Sequence, residues 1–373
     1  MRTDRVNGFL LDHGFQVLIT GYQEPKNTLD YEALALHPFY PGALVRSGTK
    51  FYSIADPFRR PLDAIRSICS PIVSIRDAIR MMKLRRDLTS INADISEAKN
   101  NQPTRAFLEQ RGFSEKILSQ FLEPFFGSVM LDLELITPAK IFASIFKPMA
   151  LGDISLPWEG IQAIPEQIAA RLPGKSIKTH SRVVEINGKH IRLETGETIE
   201  AGAIVVATEG SATAGLLPSR PHSGSRRMET YYFEANEPPV TTSALILNGD
   251  RKGPIDHVSI PNLVCPSYAP PKTSLISASS IRGGRIRQDA GFPAVLGQLE
   301  TWFGLQVHNW RFIAKYAIPH ALPNPRSTTH PEPDEAEDGI FVCGDHVDHG
   351  SLQSAMTSAR RAASQVIEFL NTR

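Results

Sequence analysis

The densest group of chemically capable side chains lies near the C-terminus. In the stretch CGDHVDHGSLQSAMTSARRAA, two aspartates and two histidines fall within residues 345–349. Neutral imidazoles and carboxylates are ligands for divalent metal ions. No third histidine or cysteine stands nearby in the sequence, and the flanking glycines favour a tight turn. We therefore predict no metal site. A metal-binding turn, and a surface turn with incidental histidines, are the two alternatives to the interpretation given below.

The residues on either side of this turn favour a third alternative, in which the turn contributes to a cofactor crevice. Residues 339–343 form an apolar run that predicts a buried strand, with Gly344 and Asp345 just beyond its carboxyl end. Gly350 and Ser351 then open a predicted helix, whose free N–H groups and dipole attract negative charge. Such a strand, turn and helix at one sheet edge are typical of a dinucleotide-binding crevice. Small residues recur along the helix and predict close packing against a sheet or ligand: Ser354, Ala355, Ser358, Ala359, Ala362 and Ala363.

The rest of the chain supplies the elements that would position this crevice. The apolar run at 203–208 predicts a strand buried on both faces, as in a parallel sheet. A hairpin is predicted around Thr195-Gly196, and helices are predicted at 165–172 and 292–303. Helical signals dominate 57–151, and 319–338 is predicted to be an exposed loop. Within the helical stretch we predict two N-caps and one proline that ends a helix: Thr104, Ser114 and Pro124.

The bulk composition narrows the class of protein. A chain of 373 residues predicts two domains or one large two-part fold. The formal net charge of +1 predicts no nucleic acid partner. Three widely spaced cysteines predict a reducing compartment without a disulfide framework. No apolar run approaches the roughly 18 residues that span a bilayer, so we predict a cytoplasmic protein.

One segment departs from this neutral balance. Residues 59–86 carry eight basic and two acidic side chains, which gives a local formal charge of +6. Ile72, Ile75, Ile79 and Met82 recur among the cations at helical spacing. This pattern predicts either a basic amphipathic helix in peripheral contact with a membrane, or a charged outer face over a core. In the first case, an apolar small-molecule substrate would be taken up there.

Several stretches resemble the flavin-containing amine oxidoreductase superfamily, which includes amine oxidases, protoporphyrinogen oxidase and carotenoid desaturases. GIFVCGDHVDHGSLQSAMTSARRAA is similar to its C-terminal FAD signature, and GFLLDHGFQVL is similar to the segment that passes beside the flavin. FLEPFFGSVMLD, RVVEI, AIVVAT and KYAIPHALP resemble further family segments. The resemblance implies FAD as the cofactor and names no catalytic base, because the cofactor performs the hydride chemistry. The implied cofactor-binding residues are Gly14, Phe15, Gln16, Val183, Gly344, Asp345, Gly350, Ser351 and Leu352.

The resemblance also implies a fold and a function. The fold is α/β with an α+β insert, in which a substrate domain is threaded through a discontinuous, Rossmann-like FAD-binding domain. The implied function is FAD-dependent hydride transfer from an apolar or amine-type substrate, as in desaturases and amine oxidases. The FAD-binding segments would be 1–56, 161–215 and 331–373, and the substrate-domain segments 57–160 (helical) and 216–330 (mixed α/β).

The start of the sequence departs from the family pattern. MRTDRV resembles the residues that follow the family's GGR motif, and the sequence does not contain the GxGxxG βαβ unit that normally precedes it. That unit would hold the pyrophosphate and the adenosine ribose. We therefore expect either a functional protein that is longer than this sequence, or a truncated non-catalytic remnant with weak or no FAD binding.

Overall fold

The computed structural model describes residues 1–90, 101–220, 222–282, 291–325, 335–337 and 339–372, which fall into two compact units. The first unit comprises Met1–Tyr22, Asp30–Glu166 and Arg227–Pro319. The second comprises Gln23–Leu29, Gln167–Arg226 and His320–Arg373. The predicted division into FAD-binding and substrate-domain segments remains a prediction; of the segment 1–56, residues 23–29 belong to the second unit.

The strands are short except in one large sheet. Their bounds are β1 Thr3–Val6, β2 Phe9–Asp12, β3 Leu18–Ile19, β4 His37–Pro38, β5 Gly42–Ser47, β6 Lys50–Ala55, β7 Ile154–Leu156, β8 Val183–Asn187, β9 His190–Leu193, β10 Thr198–Glu200, β11 Ile204–Val206, β12 Ser225–Ala235, β13 Leu245–Asn248, β14 His257–Ser259, β15 Ser274–Arg282, β16 Arg311–Pro323, β17 Glu335–Glu337 and β18 Ile340–Val342.

The helices vary from a single turn to more than five turns. Their bounds are α1 Gln23–Thr28, α2 Pro61–Ile68, α3 Ile75–Thr89, α4 Thr104–Gln110, α5 Glu115–Ile117, α6 Glu123–Met130, α7 Ala139–Leu151, α8 Ala163–Ala169, α9 Gly210–Leu216, α10 Pro261–Val264, α11 Phe292–Phe303 and α12 Leu352–Asn371. A π-helical turn, Leu118–Leu122, joins α5 to α6. Among the described residues, no helix is both long and apolar enough to cross a membrane.

The first unit is built on a mixed sheet of seven strands in the order β16-β12-β15-β14-β13-β5-β6. One core cluster packs α11 against this sheet through residues such as Val295 and Leu299. A second core lies among the helices α3 to α7, with Leu84, Phe142 and Leu108 fully buried. The hairpin β1-β2 forms a third apolar cluster with Tyr268 and Leu275. This unit therefore combines the helical and mixed α/β segments that the sequence predicts.

The second unit holds two small sheets and the C-terminal helix. Strand β11 pairs in parallel with β18, and β17 adds to β18 in the antiparallel direction. The antiparallel strands β10-β9-β8 form the other sheet. Side chains of both sheets, including Ile186 and Val206, share one apolar cluster. The parallel pairing of β11 and β18 brings the carboxyl ends of both strands to the same edge.

Several sequence-based predictions of elements are confirmed. The hairpin at Thr195-Gly196 joins β9 and β10, and Gly196 has a φ of +88°. Helix α11 has the predicted bounds, and the predicted helix at 165–172 corresponds to α8. Ser114 is the N-cap of α5, where its side chain accepts a hydrogen bond from the Ile117 amide. The predicted loop 319–338 is wrong at both ends, because residues 319–323 end β16 and residues 335–337 form β17, while 326–334 and 338 lie outside the described residues.

Two predictions about helix ends are wrong. Pro124 does not end a helix but lies in the first turn of α6, where its missing N–H needs no partner. Thr104 is the first helical residue of α4 rather than its N-cap, which is Pro103. The Thr104 hydroxyl instead donates to the Thr137 carbonyl oxygen at 2.6 Å. A tertiary contact has therefore replaced the local capping bond that the sequence predicts.

One prediction about burial is also wrong. Strand β11 is buried on one face only, since Ile204 and Val206 are buried whereas Val205 is 44% exposed. For the apolar stripe of the basic segment, which has two alternative interpretations, the structure divides the residues between core and surface. Ile72 is buried in the connection between α2 and α3, whereas Ile75 and Ile79 are exposed on α3.

Candidate functional site

The turn after β18 has a backbone geometry that requires glycine. Gly344 has a φ of +149°, and a Cβ atom added there would lie 2.6 Å from Nδ1 of His346. A short helical turn, Asp345–Val347, follows at once. Val347 is buried in the apolar cluster of the β11-β18 sheet. The turn is therefore anchored by its apolar residue while Asp345 stays at the carboxyl end of the strand.

Helix α12 is fastened to this turn by one hydroxyl group. The Ser358 Oγ accepts a hydrogen bond from the Gly344 amide at 3.0 Å, and its one proton has two carbonyl acceptors, those of Gly344 and Ala355, each at 3.0 Å. Ser354, Ser358 and Ala362 are buried at four-residue spacing, which confirms the predicted close-packing face. Ala359 and Ala363, also assigned to that face, are exposed. Small side chains on the inner face let the helix approach the strand and turn closely.

The first turn of α12 is capped by Ser351. Its side chain accepts a hydrogen bond from the Ser354 amide at 3.1 Å, as expected for an N-cap serine. His349 lies with Nε2 at 3.0 Å from the Ser354 hydroxyl. Gly350 passes close to β16, because an added Cβ would lie 3.0 Å from Cδ of Pro323. The predicted residues Gly344, Asp345, Gly350, Ser351 and Leu352 therefore form one continuous turn and helix start.

Two carboxyl groups meet at the edge where β11 and β18 end. Burial raises the pKa of Asp345, and the negative charge of Glu209 raises it further. The pKa of Glu209 is lowered: burial opposes ionisation, but the Ser211 hydroxyl and the Ser211 and Ala212 amides stabilise its carboxylate. Glu209 thus caps α9, and its charge makes the Asp345 carboxyl harder to ionise.

Val183, the other predicted residue of the second unit, opens β8. It pairs with Leu193, and a register shift follows before Glu185 pairs with Arg192. Val183 is half-buried, so its backbone lies at the irregular end of the β8-β9 ladder. The resemblance implies that this backbone meets the adenine of the cofactor, and that contact remains a prediction.

The predicted residues Gly14, Phe15 and Gln16 belong to the first unit, where Asp12 fixes the start of their segment. The Asp12 carboxylate accepts hydrogen bonds from the Thr3 hydroxyl at 2.6 Å and the Tyr268 hydroxyl at 2.8 Å. Burial raises the pKa of Asp12. The Tyr232 hydroxyl donates to the Asp12 backbone oxygen at 2.7 Å. These bonds hold the chain against the large sheet immediately before Gly14.

The three residues then cross the face of that sheet. Gly14 has a φ of +91°, and an added Cβ would lie 3.1 Å from Sδ of Met228 on β12. Phe15 packs edge-on against His257, with ring centroids 4.8 Å apart. The Gln16 amide donates to the His13 carbonyl oxygen at 2.8 Å. Glycine is therefore required at position 14 both by its backbone angle and by the closeness of the sheet.

His13 has a structural environment. Its Nε2 lies 2.9 Å from Oδ2 of Asp4, and its ring stacks on Tyr316 at 4.1 Å. Tyr316 also donates its hydroxyl proton to Asp4 at 2.8 Å. The hydrogen bond from His13 is the main cause that lowers the pKa of Asp4 to about 2. These contacts fix the first hairpin on β16.

Sequence reasoning missed His257, which the structure places beside Phe15. His257 is fully buried on β14, and its Nδ1 lies 3.0 Å from the Ser128 hydroxyl. Because Ser128 donates its own proton to the Pro124 carbonyl, we assign the proton of the imidazole to Nδ1. Nε2 is then an acceptor, and it has no hydrogen-bond partner among the described residues. Burial lowers the pKa of His257 to about 3, so the ring is neutral at physiological pH.

A second buried acceptor lies on the same sheet face. Ser259 follows His257 by two residues on β14, and its Oγ is likewise without a partner among the residues described. The cross-strand neighbours of this pair are Ser279 and Ser277. In the sequence, the only indication of this pair is the polar-apolar alternation of His-Val-Ser. That alternation does not reveal which face of the strand packs against Phe15.

The metal alternative finds no support in the described part of the chain. No group of three or more histidine, cysteine, aspartate or glutamate side chains there could hold a metal ion. In the 345–349 turn, His346 is buried whereas Asp348 is exposed, so the four side chains do not share one environment.

One family model matches nearly the whole chain. The model of the family described as flavin containing amine oxidoreductase matches residues 1–367. Comparison with curated proteins gave no match. An oxidoreductase from Methanosarcina mazei has a similar structure, with a TM-score of 0.65, 15% identity, and coverage of 98% of this chain and 90% of that one.

Two further structures are similar across nearly the whole chain. Putrescine oxidase bound to putrescine gives a TM-score of 0.67 at 10% identity and covers 98% of this chain and 90% of its own. Reduced UDP-galactopyranose mutase gives 0.61 at 12% identity, with coverage of 100% and 87%. At these identities the likeness shows the fold, and it confirms the predicted α/β class.

The Ser358 contact predicts a stability effect. Replacing Ser358 with alanine leaves the Gly344 amide and carbonyl without their side-chain partner, so we expect a loss of about 1–3 kcal/mol in the free energy of unfolding. Chemical denaturation measures it. Ser364→Ala, an exposed position on the same helix, is the control and should change stability by less than about 0.5 kcal/mol. Equal effects of the two changes would contradict the proposed fastening role.

The buried imidazole of His257 predicts a pH dependence of stability. Its folded pKa of about 3 lies below the ordinary value of 6.5, so the unfolded state binds more protons between these pH values. Stability should therefore fall as pH decreases from 6.5 towards 3, by roughly 1 kcal/mol per pH unit from this group. His257→Gln cannot be protonated and should show a shallower fall in urea titrations. The exposed control His308→Gln should keep the slope of the parent protein.

Proposed function

The chain belongs to the flavin-containing amine oxidoreductase family, and we propose that it transfers a hydride from an apolar or amine-type small molecule to its flavin. The protein is an FAD-dependent oxidoreductase. The nature of the substrate is our proposal. Putrescine oxidase, which has a similar structure, was observed with an amine, putrescine, and this supports the amine alternative.

The turn and helix start in the second unit fit an FAD cofactor chemically. Asp345 offers a carboxyl group that can accept hydrogen bonds from hydroxyl groups. The first turn of α12 offers backbone N–H groups and the positive end of a 20-residue helix, which suit electron-rich oxygen and nitrogen atoms. The high pKa of Asp345 is also consistent with a group whose burial is compensated by a ligand. We propose that Gly344, Asp345, Gly350, Ser351 and Leu352 hold this cofactor.

When bound, FAD supplies the redox chemistry by accepting the hydride. The residues of the chain bind the cofactor, orient it and exclude water from it. Asp345 and the α12 N–H groups would fix the orientation of the cofactor, and Val183 would contact its adenine through the backbone. Gly14, Phe15 and Gln16 would line the flavin, on a segment that Asp12 and Tyr232 hold rigidly.

The observation that carries the substrate proposal is the buried Nε2 of His257 beside Phe15, together with the buried Oγ of Ser259 two residues further along β14. Nε2 of His257 and Oγ of Ser259 are buried hydrogen-bonding atoms in aromatic surroundings. A buried polar atom without a partner costs free energy, and functional sites are where such a cost is retained. A largely apolar substrate with one N–H or O–H donor, such as a neutral amine, would satisfy such an atom. With a pKa of about 3, His257 would orient this donor and would not act as a base near neutral pH.

The cofactor assignment predicts opposite effects of one substitution on stability and on FAD binding. Ionised Asp345 opposes folding above its raised pKa, so Asp345→Asn should raise the melting temperature of the FAD-free protein at pH 7. The same change removes an acceptor for cofactor hydroxyls and should weaken FAD binding by roughly 10- to 100-fold. Thermal unfolding over an FAD titration measures both effects, because a ligand that binds the folded state raises its melting temperature.

Asp348→Asn is the matched control for this experiment, since Asp348 lies in the same turn and is exposed. It should leave the FAD dependence of the melting temperature unchanged. If FAD does not shift the melting temperature of the parent protein, the non-catalytic alternative is favoured. Equal weakening by both substitutions would contradict the specific role of Asp345.

The substrate proposal predicts which compounds reduce the bound flavin. Under anaerobic conditions, putrescine, benzylamine or a detergent-solubilised polyene is mixed with FAD-loaded protein, and loss of the visible flavin absorbance is recorded. We expect reduction by at least one of them, and His257→Gln should lower the amine-dependent rate by about tenfold or more, as for loss of one hydrogen bond to a buried group. Stable, oxidised flavin with every compound would contradict the proposed substrate class while leaving the FAD assignment intact.

A further inference from the structure

The basic segment of the first unit exposes an unusual amount of apolar surface. Leu62 and Ile65 on α2 are 80% and 61% exposed, and Ile75 on α3 is 65% exposed. Single exposed apolar residues need no explanation, but clustered ones mark interaction sites. We define the helical-pair surface as the exposed apolar residues of this segment together with its exposed cations: Phe58, Leu62, Ile65, Ile68, Ile75, Ile79 and Met82, with Arg60, Arg66, Arg76 and Lys83.

Most of these residues lie on the consecutive helices α2 and α3, and Phe58 and Arg60 lie just before α2. The Arg85 guanidinium lies 4.3 Å from the centre of the Phe58 ring, which brings the chain just before α2 next to the C-terminal part of α3. Residues 69–74 join the opposite ends of the two helices. Arg59 and Arg85 both donate to the Ala150 carbonyl oxygen at the end of α7. The two helices are therefore consecutive segments that approach each other near Phe58 and Arg85, where both are anchored on the end of α7, and we refer to them together as the hairpin.

The outward apolar residues of α3 are not required by its packing. Leu84 and Leu88 are buried in the helical core, and Ala78 and Met81 pack against the same core. Ile75, Ile79 and Met82 follow at spacings of four and three residues on a different face, where they are exposed. The helix thus has a second apolar face beyond the one that folding uses.

The charges around this face are arranged for an anionic partner. The acidic groups of the hairpin are already engaged: Asp77 is buried with Ser74 and Ser114, and Asp56 pairs with Arg85. Asp63 accepts a hydrogen bond from the Tyr40 hydroxyl, and Asp87 pairs with Arg86 and Arg111. In contrast, Arg66, Arg76 and Lys83 are exposed and have no ion-pair partner in the described parts of the chain. The charge presented to solvent is therefore positive.

We propose that the helical-pair surface binds the surface of an anionic lipid bilayer. The exposed Leu, Ile, Met and Phe side chains enter the headgroup region, and the neighbouring Arg and Lys side chains contact anionic headgroups. A second copy of this chain fits less well, because a two-fold contact would place two positively charged surfaces against each other. The surface combines exposed apolar side chains with exposed cations, and a bilayer with anionic headgroups matches both.

Vesicle sedimentation tests this proposal. The FAD-loaded protein is mixed with phosphatidylcholine vesicles, or with vesicles containing about one third phosphatidylserine. We expect binding to the anionic vesicles only, and weaker binding when ionic strength rises from ~0.1 to ~0.5 M. Cys69, the one exposed cysteine, can carry a polarity-sensitive fluorophore, whose emission should shift to shorter wavelength on binding.

Matched variants separate the apolar and charged contributions. Ile75→Ser with Ile79→Ser should reduce vesicle binding at least tenfold, whereas Ile367→Ser with Leu370→Ser, at similarly exposed positions on α12, should leave it unchanged. Replacing Arg66, Arg76 and Lys83 by glutamine should reduce binding by about fivefold per charge. The melting temperature of each variant confirms that it is folded.

Three outcomes would overturn the proposal. They are absence of binding to anionic vesicles, equal binding by the parent protein and the Ile75/Ile79 variant, and a concentration-dependent dimer that the same variant abolishes without any vesicle binding by the parent protein. The last outcome would identify the surface as a contact between two copies of the chain.

Discussion

The close approach of α12 to the turn after β18 is the constraint on which the cofactor region depends. One hydroxyl, that of Ser358, contacts both the amide and the carbonyl of Gly344. The helix can come this close because Ser354, Ser358 and Ala362 present small side chains. Glycine at 344 is required for a different reason, since a Cβ there would meet the His346 ring. A larger residue on this face would push the helix outward, and its N–H groups would no longer start beside Asp345.

In the first unit, a predicted cofactor-binding segment is also held in place, but by buried polar groups instead of small residues. The Asp12 carboxylate and backbone are held by Thr3, Tyr268 and Tyr232, so the segment that continues to Phe15 has little freedom on the sheet. Beyond it, the neutral imidazole of His257 retains a buried acceptor. Among the described residues, Nε2 of His257 and Oγ of Ser259 have no hydrogen-bond partner, and buried polar atoms of this kind next to a connected network are expected where binding has shaped the residues.

The net charge of this protein does not show how its charges are distributed over the surface. The chain as a whole is nearly neutral, yet the α2-α3 hairpin presents cations whose acidic neighbours are already paired. A redox site for apolar or amine substrates and a surface suited to anionic lipid are compatible properties, because substrates of low solubility concentrate at membranes. The inference about the surface depends only on exposure and charge, and it would survive a different substrate.

The sequence by itself determined those features that depend on residues close together along the chain. The β18 strand, the glycine turn and the small inner face of α12 could be predicted because spacing and residue size act within a few turns, and the family order of motifs gave the fold class and FAD. Only the tertiary structure decided which side of an element meets the core. Val205, Ile75 and Ile79 are exposed, Pro124 begins a helix, and His257 packs on Phe15. The physical reason is that periodicity defines the faces of a helix or strand, whereas distant segments determine which face is covered.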